Sequence, residues 1–288
     1  MVLHLLSELA TSEEVQRSLT MKTLGMSDVD IDFLGYSRWD MSALISDRFA
    51  SGRAFLIGDA AHSLPPNRGG FGVNTGIADA HNLAWKLAHV VYDASTPALL
   101  DTYDEERRPV AWLRHDQIFA RSDYKTLQKD KSANDGELHV VIEDIAMEFG
   151  EVYRSRGIIG AGSSLPPAKR PDQWAGQPGT RAPHVWLQRN GKTISTIDLL
   201  CKSWVLLSHS AAWKDMLKKA KEKVSVNAVF EEVIQDEPAP FSFQEAFGVT
   251  SDGASLVRPD GYIAWRCDML PESSDSLTEA LKQVLFVP

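Results

Sequence analysis

The spacing of apolar and polar residues divides the chain into segments of different period. The sharpest is GIADAHNLAWKLAHVVY (76–92), where Ile77, Ala80, Leu83, Ala84, Leu87, Ala88 and Val91 recur at helical spacing. Asn74 or Thr75 is placed to cap that helix. A second helical pattern starts near Pro97 and runs through LLDTYDEERRPVAWLRHDQIFARS. Pro109 lies inside it and predicts a kink or break near Arg108, because proline lacks the N–H donor and crowds the preceding turn. Residues 1–25 read as helical, with Ser12 at the N-cap, Glu13 and Glu14 in the first turn and Gly25 as the stop. A third helix covers roughly 137–155. VDIDFLGYSRWD (29–40) alternates like a strand or hairpin arm, and Ala54–Ile57 is a short apolar run with the shape of a buried strand feeding a loop at Gly58.

After residue 155 the texture changes. Residues 156–183 hold five Gly and five Pro without sustained periodicity, which predicts an ordered linker. Beyond it, segments around 193–207 and 224–230 read as strands and 213–223 as an exposed helix. Lys218, Lys219, Lys221 and Lys223 make its solvated face. Ala254–Val257 and Gly261–Arg266 read as strands joined by a Pro-Asp-Gly turn, and 274–286 closes as a helix. The resulting division is 1–155, a linker at 156–183, and 184–288.

Composition narrows the classes. A chain of 288 residues, 43% hydrophobic and 24% charged, is a folded protein of about two domains. A net charge of −9 argues against a nucleic-acid partner and against an anionic membrane surface. The two cysteines, Cys201 and Cys267, form no CxxC, no disulfide scaffold and no zinc site, and are expected to be buried reduced thiols. The opening MVLHLLSELATSEE lacks a basic start and has only a short apolar run, so it is not a signal peptide, and no span of some 18 apolar residues occurs. The expected location is cytoplasmic.

Candidate chemistry concentrates in Gly52–Ala88, read as strand, acidic loop, Gly-rich loop and helix. Gly69, Gly70 and Gly72 let backbone approach a ligand closely, and the helix start at Asn74–Gly76 offers free N–H groups at a positive dipole end. Asp59 can accept hydrogen bonds from sugar-like hydroxyls. This suits a ligand with polyol and anionic character, and equally a plain Gly-rich turn before a capped helix. His62 is a candidate base or a packing residue beside the loop. Asp59, His62, Asp79 and His81 match no metal-ligand spacing, so no metal is expected. Arg107 and Arg108 beside Glu105 and Glu106 read as a surface or interdomain charge cluster, Arg258 and Asp260 as turn residues around Pro259, and Trp85 and Trp186 as core.

GRAFLIGDAAH, the Pro-Pro pair, GGFGVNTGI, DAHNLAWKLA and LLDTYDEERRPVA together resemble the second flavin-binding motif of the FAD-dependent aromatic hydroxylases, the group related to para-hydroxybenzoate and phenol hydroxylases. QPGTRAPHVWL, STIDLL and SLVRPDGYIAWR resemble the thioredoxin-like C-terminal domain of the phenol-hydroxylase type, which packs and associates without a working CxxC. The implied fold class is α/β: a partial Rossmann-like FAD-binding domain of the aromatic-hydroxylase type, then a thioredoxin-like α/β domain. By resemblance Asp59, with Gly58, holds a ribityl hydroxyl of FAD. Gly70, Gly72, Val73 and Asn74 present backbone to the flavin pyrimidine. Pro66 lies near the flavin and substrate edge, with His62 the candidate base. The Pro66–Gly72 loop looks one residue longer than the para-hydroxybenzoate version, with Arg68 the extra residue. The implied reaction hydroxylates a phenolic or polyketide-type aromatic, a small-molecule substrate, using NAD(P)H and O2.

The family's GxGxxG, its middle DG motif and most of its substrate sheet do not occur, so the chain reads as the C-terminal half of such a hydroxylase. Without pyrophosphate and adenosine contacts, tight FAD binding by this chain alone is not expected. Three readings follow: a truncated hydroxylase, one subunit of a split enzyme, or a flavin-free descendant acting as an isomerase or cyclase in secondary metabolism. An open sheet edge and apolar face predict a homodimer or an N-terminal-half partner.

Overall fold

The structure, a computed structural model, describes residues 13–25, 29–32, 34, 42–65, 70–120, 140–235 and 242–287. Residues 1–40 and 41–288 form two separate compact units. In the first, α1 (Glu13–Leu24) carries its two acidic residues in the first turn and ends at Gly25. Arg17 Nη2 donates to the Ile31 carbonyl at 3.0 Å. Ser12 and the rest of the 1–12 helix expectation lie outside the described residues. Of the strand expected over 29–40, residues 29–32 and 34 form neither helix nor strand, and the others lie outside.

The second unit opens with short antiparallel pairs. β1 (Leu44–Ile45) pairs with β4 (His62–Ser63), and β2 (Ala50–Ser51) with β3 (Ala54–Phe55). The run read as a buried strand is therefore one arm of a two-residue hairpin. Leu56 and Ile57 are 37% and 43% exposed, since among the described residues no strand pairs beyond β2.

Two helices follow. α2 (Phe71–Val91) begins earlier than the spacing suggested: Gly70, at φ +63°, is its cap residue, so Asn74 closes the first turn and Thr75 opens the second. Its faces are also inverted. Thr75, Asp79, Asn82 and Lys86 are buried with Leu83, whereas Val73, Ile77, Ala80, Ala84, Ala88 and Val91 are exposed. α3 (Asp101–Ala120) runs unbroken through Pro109. Glu106, Arg107, Val110 and Ala111 are all buried around the proline, and those contacts outweigh one missing helical hydrogen bond. The helix expected over 137–155 shortens to α4 (Asp144–Phe149), stopped at Gly150, with 137–139 outside the described residues.

The Gly/Pro-rich stretch is ordered and closely held. Gly179 N–H donates to Ile263 O at 2.8 Å, Ile263 N–H to Thr180 O at 2.9 Å and Ala182 N–H to Gly261 O at 2.8 Å. It thus lies along the last strand of the following sheet. At Gly176 the backbone is left-handed (φ +63°) and an added Cβ would fall 2.1 Å from Phe247 O. Gly176→Ala is expected to destabilise the chain by about 1–3 kcal/mol, read as a lowered urea midpoint at unchanged m.

The C-terminal part begins with the hairpin β5 (Trp186–Arg189) and β6 (Lys192–Ser195). Then come β7 (Trp204–Ser208), α5 (Ala212–Lys223), β8 (Ala228–Glu232), α6 (Phe243–Phe247), β9 (Ala254–Val257), β10 (Ile263–Cys267) and α7 (Asp275–Leu285). The sheet order is β10-β9-β7-β8, with β7 and β8 parallel and the other neighbours antiparallel. This βαβ followed by ββα is the thioredoxin topology. Every residue of β7 is buried, and the period of two sorts them. Trp204 and Leu206 pack with Trp213, Leu217, Leu277 and Leu281; Val205 and Leu207 pack with Phe243, Phe247 and Leu187. The lysines of α5 are exposed, as their spacing suggested. Trp186 is not core: it points outward from β5 and is 54% exposed, while Leu187 turns in. Nor are the thiols buried, since Cys201 is exposed on a left-handed bend and Cys267 half-buried.

Candidate functional site

After β3 the chain makes a single 3-10 turn, Gly58–Ala60. The turn rests on α2, because a Cβ on Gly76 would come 3.0 Å from the Gly58 Cα. Asp59 is exposed on this turn. Beside it the first turn of α2 has no side-chain cap at Gly70, and Val73 and Asn74 are exposed. The structure thus brings Gly58 and Asp59 to the helix whose first turn holds Gly72, Val73 and Asn74. Pro66, with Asn67, Arg68 and Gly69, lies outside the described residues. An exposed carboxylate suits a hydroxyl donor, and the amide end of a helix suits negative charge. These residues fit the ribityl and ring portions of a flavin.

Behind this surface lies Asp79, wholly buried. Its Oδ2 accepts from Gly58 N–H at 3.1 Å and lies 2.6 Å from His62 Nε2; its Oδ1 accepts from Arg107 Nε at 2.7 Å. Arg107 also donates from Nη2 to Thr75 O at 3.1 Å and from Nη1 to the Tyr153 hydroxyl at 2.7 Å. Burial alone would raise the Asp79 pKa, but the His62 hydrogen bond and the Arg107 charge hold it below its usual range. His62 is 1% exposed and packs against Phe49, so it does not reach the open surface.

A second buried cluster centres on Glu106. Its two oxygens accept from Arg258 Nη1 and Nη2 (2.7 and 2.9 Å), Lys86 Nζ (2.9 Å), Asn82 Nδ2 (2.7 Å) and Ser155 Oγ (2.7 Å). Arg258 Nε donates to Asp260 Oδ1 at 2.9 Å. Arg258 and Asp260 are therefore more than turn residues: they bind the β9–β10 hairpin to α2 and α3. The cluster flagged at Glu105–Arg108 divides. Glu106 and Arg107 are buried, while Glu105 and Arg108 face outward to pair with Arg156 and Asp104. The overlooked signal was the stripe Thr75, Asp79, Asn82, Lys86, polar at helical spacing in an otherwise apolar segment. A cleft of about 270 Å³ opens between α2, α4 and the hairpin, lined by Asn74, Ile77, His81, Arg114, Tyr153 and Tyr262. Among the described residues no group of three or more His, Cys, Asp or Glu could hold a metal ion, and no helix is long and apolar enough to cross a membrane.

Comparison with known proteins agrees with the fold. A family model for the FAD binding domain matches residues 7–117, and one for the aromatic-ring hydroxylase C-terminal domain matches 175–288. The chain is 37% identical over 277 residues to a 4-methyl-5-nitrocatechol 5-monooxygenase of a Burkholderia species, covering 93% of this chain and 50% of that protein. It is 36% identical over 264 residues to the tetracenomycin B2 monooxygenase-dioxygenase of Streptomyces olivaceus, covering 90% and 47%. The chain thus spans about half the length of the curated relatives it matches. Its structure superposes on aklavinone-11 hydroxylase, solved as a ternary complex with FAD and aklavinone, with a TM-score of 0.85 at 31% identity, covering 96% of this chain and 51% of that one. The chain thus carries FAD binding domain sequence over residues 7–117 and an aromatic-ring hydroxylase C-terminal domain over 175–288, and over both it is similar to FAD-dependent aromatic-ring hydroxylases.

Proposed function

We propose that this chain supplies the flavin-facing half of a monooxygenase that hydroxylates a phenolic or polyketide-type aromatic using NAD(P)H and O2. The observation that carries the reading is the exposed Asp59 turn set on the open first turn of α2. Asp59 accepts a ribityl hydroxyl. Gly58 belongs to the same turn, while Gly70, Gly72, Val73 and Asn74 present backbone to the ring, and the helix end favours negative charge on the pyrimidine side. Pro66 borders the flavin and substrate edge. His62 serves through Asp79, because its burial removes it from any substrate. When bound, FAD supplies the redox chemistry with O2; the protein binds and orients it. Relatives named for nitrocatechol, tetracenomycin and aklavinone support an aromatic substrate class. The exposed Val73, Ile77, Ala80 and Ala84 face of α2 is read as the surface covered by an N-terminal half or a second copy of the chain. A cytoplasmic location is part of this reading, supported by the free thiols of Cys201 and Cys267.

The test is co-expression with the N-terminal half of the Burkholderia relative, followed by desalting and a visible spectrum. Flavin should be retained, and an aromatic substrate should stimulate NAD(P)H oxidation and yield a product one oxygen atom heavier. Asp59→Ala should weaken FAD binding about three- to tenfold, the worth of one hydrogen bond. Turnover of an aromatic without NAD(P)H and O2 would replace the hydroxylase by an isomerase or cyclase.

A further inference from the structure

We infer that Asp79 and Arg107 are positioning residues for the flavin-facing backbone, and that Tyr153 extends their hold to the C-terminal domain. The inference rests on the flavin reading of the Asp59 turn. Two segments must keep their mutual register for that site to exist: the Gly58–Ala60 turn and the start of α2, Phe71–Thr75. Asp79 holds the first segment through Gly58 N–H, and Arg107 holds the second through Thr75 O. The Asp79–Arg107 pair, at 2.7 Å, joins the two holds. Both side chains are fully buried, so water is not available to replace a lost bond. A buried ion pair by itself is weak support for stability, because well-packed apolar residues often serve as well. What apolar residues would not supply is direction: here each of the two side chains has one bond to backbone, Asp79 to Gly58 N–H and Arg107 to Thr75 O.

The hold continues outward. Arg107 Nη1 donates to the Tyr153 hydroxyl, and the Tyr153 ring stacks on Tyr262 with centroids 3.9 Å apart and planes 12° from parallel. Tyr262 sits in the β9–β10 connection, and its hydroxyl donates to Glu151 Oε1 at 2.9 Å. The C-terminal domain thereby helps to set where Arg107 lies. This gives a domain without redox chemistry a part in flavin binding.

The experiment compares Asp79→Asn, Tyr153→Phe and Glu106→Gln in the full 288-residue chain. Glu106→Gln disturbs a buried cluster of similar kind that touches neither flavin-facing segment. Amide exchange and FAD titration by fluorescence quenching are both recorded. Asp79→Asn should speed exchange at Gly58 by about tenfold or more, the weight of one buried hydrogen bond to a charged group, with β7 and β9 unchanged. Its FAD dissociation constant should rise by about the same factor, and that of Tyr153→Phe by about threefold. Glu106→Gln should lower the unfolding midpoint yet leave Gly58 exchange and FAD affinity within about twofold of wild type. Unchanged exchange at Gly58 in Asp79→Asn, or equal losses of FAD affinity in Asp79→Asn and Glu106→Gln, would overturn the inference. If the wild-type chain takes up no FAD, exchange at Gly58 still decides the Asp79 assignment, and co-expression with the N-terminal half decides the flavin reading separately.

Discussion

Replacing Arg258 with alanine is expected to remove about 3–5 kcal/mol of folding stability. The guanidinium is 1% exposed, clasps both oxygens of Glu106 and donates to Asp260. It also lies 5.2 Å from the Trp85 ring centroid. Without it, Glu106 keeps the Lys86 charge and the neutral donors Asn82 and Ser155, Asp260 loses its guanidinium partner, and the desolvation of the two carboxylates is no longer offset. The loss falls on one junction, since this cluster joins α2 and α3 to the β9–β10 hairpin. Urea denaturation should show a lower midpoint at similar m, and proteolysis within 156–183 should quicken as the junction opens. Replacing the group together (Lys86→Met, Glu106→Leu, Arg258→Met and Asp260→Asn) should cost far less, because no uncompensated charge is left behind. A single Arg258→Ala that loses under about 1 kcal/mol would mean that water enters the cluster and screens it.

The same cluster shows how much of the molecule the sequence made legible. The flavin motif was readable because its parts are local: Asp59, the glycines and the helix start lie within about twenty positions, and each needs its residue type for a backbone reason. The β9–β10 turn was readable for the same reason, since Pro-Asp-Gly fixes a turn whatever packs around it. The partnership of Glu106 with Arg258 spans 152 positions and leaves no local trace. Period alone likewise misled at α2. An amphipathic pattern says that two faces differ and not which of them turns inward, and here a polar stripe found buried partners on α3 and the hairpin. Pro109 does not break α3, because one lost hydrogen bond is small beside the burial of four neighbours. Ala54–Ile57 has the composition of a buried strand, but burial depends on flanking strands, and among the described residues none pairs with it beyond β2.

Acid should unfold this chain through Glu106 and Asp79. For Glu106, burial alone would raise the pKa above the ordinary 4.5; the charges of Arg258 and Lys86 and the hydrogen bonds from both outweigh it and hold the carboxyl far below that value. Asp79 is likewise held below its ordinary 3.8. In both cases the folded-state pKa lies under the unfolded one, so the unfolded chain binds more protons as pH falls through the ordinary values. Stability is then fully present above about pH 5 and declines below it, with a slope that approaches about 1.4 kcal/mol per pH unit for each carboxylate. Lys86 acts at the other end. Burial pushes its pKa down to about 8 from 10.5, so between those values the unfolded chain again holds the extra proton and this lysine's contribution to stability increases with pH. The measurement is urea unfolding from pH 3 to 6 of wild type and Glu106→Gln, which lacks the titrating group. The difference between the two should shrink as the pH falls, by about 1.4 kcal/mol per unit once below the ordinary glutamate value. Parallel curves would show that the Glu106 carboxylate keeps a normal affinity for its proton in the fold, and that Arg258 and Lys86 do not hold it as their distances indicate.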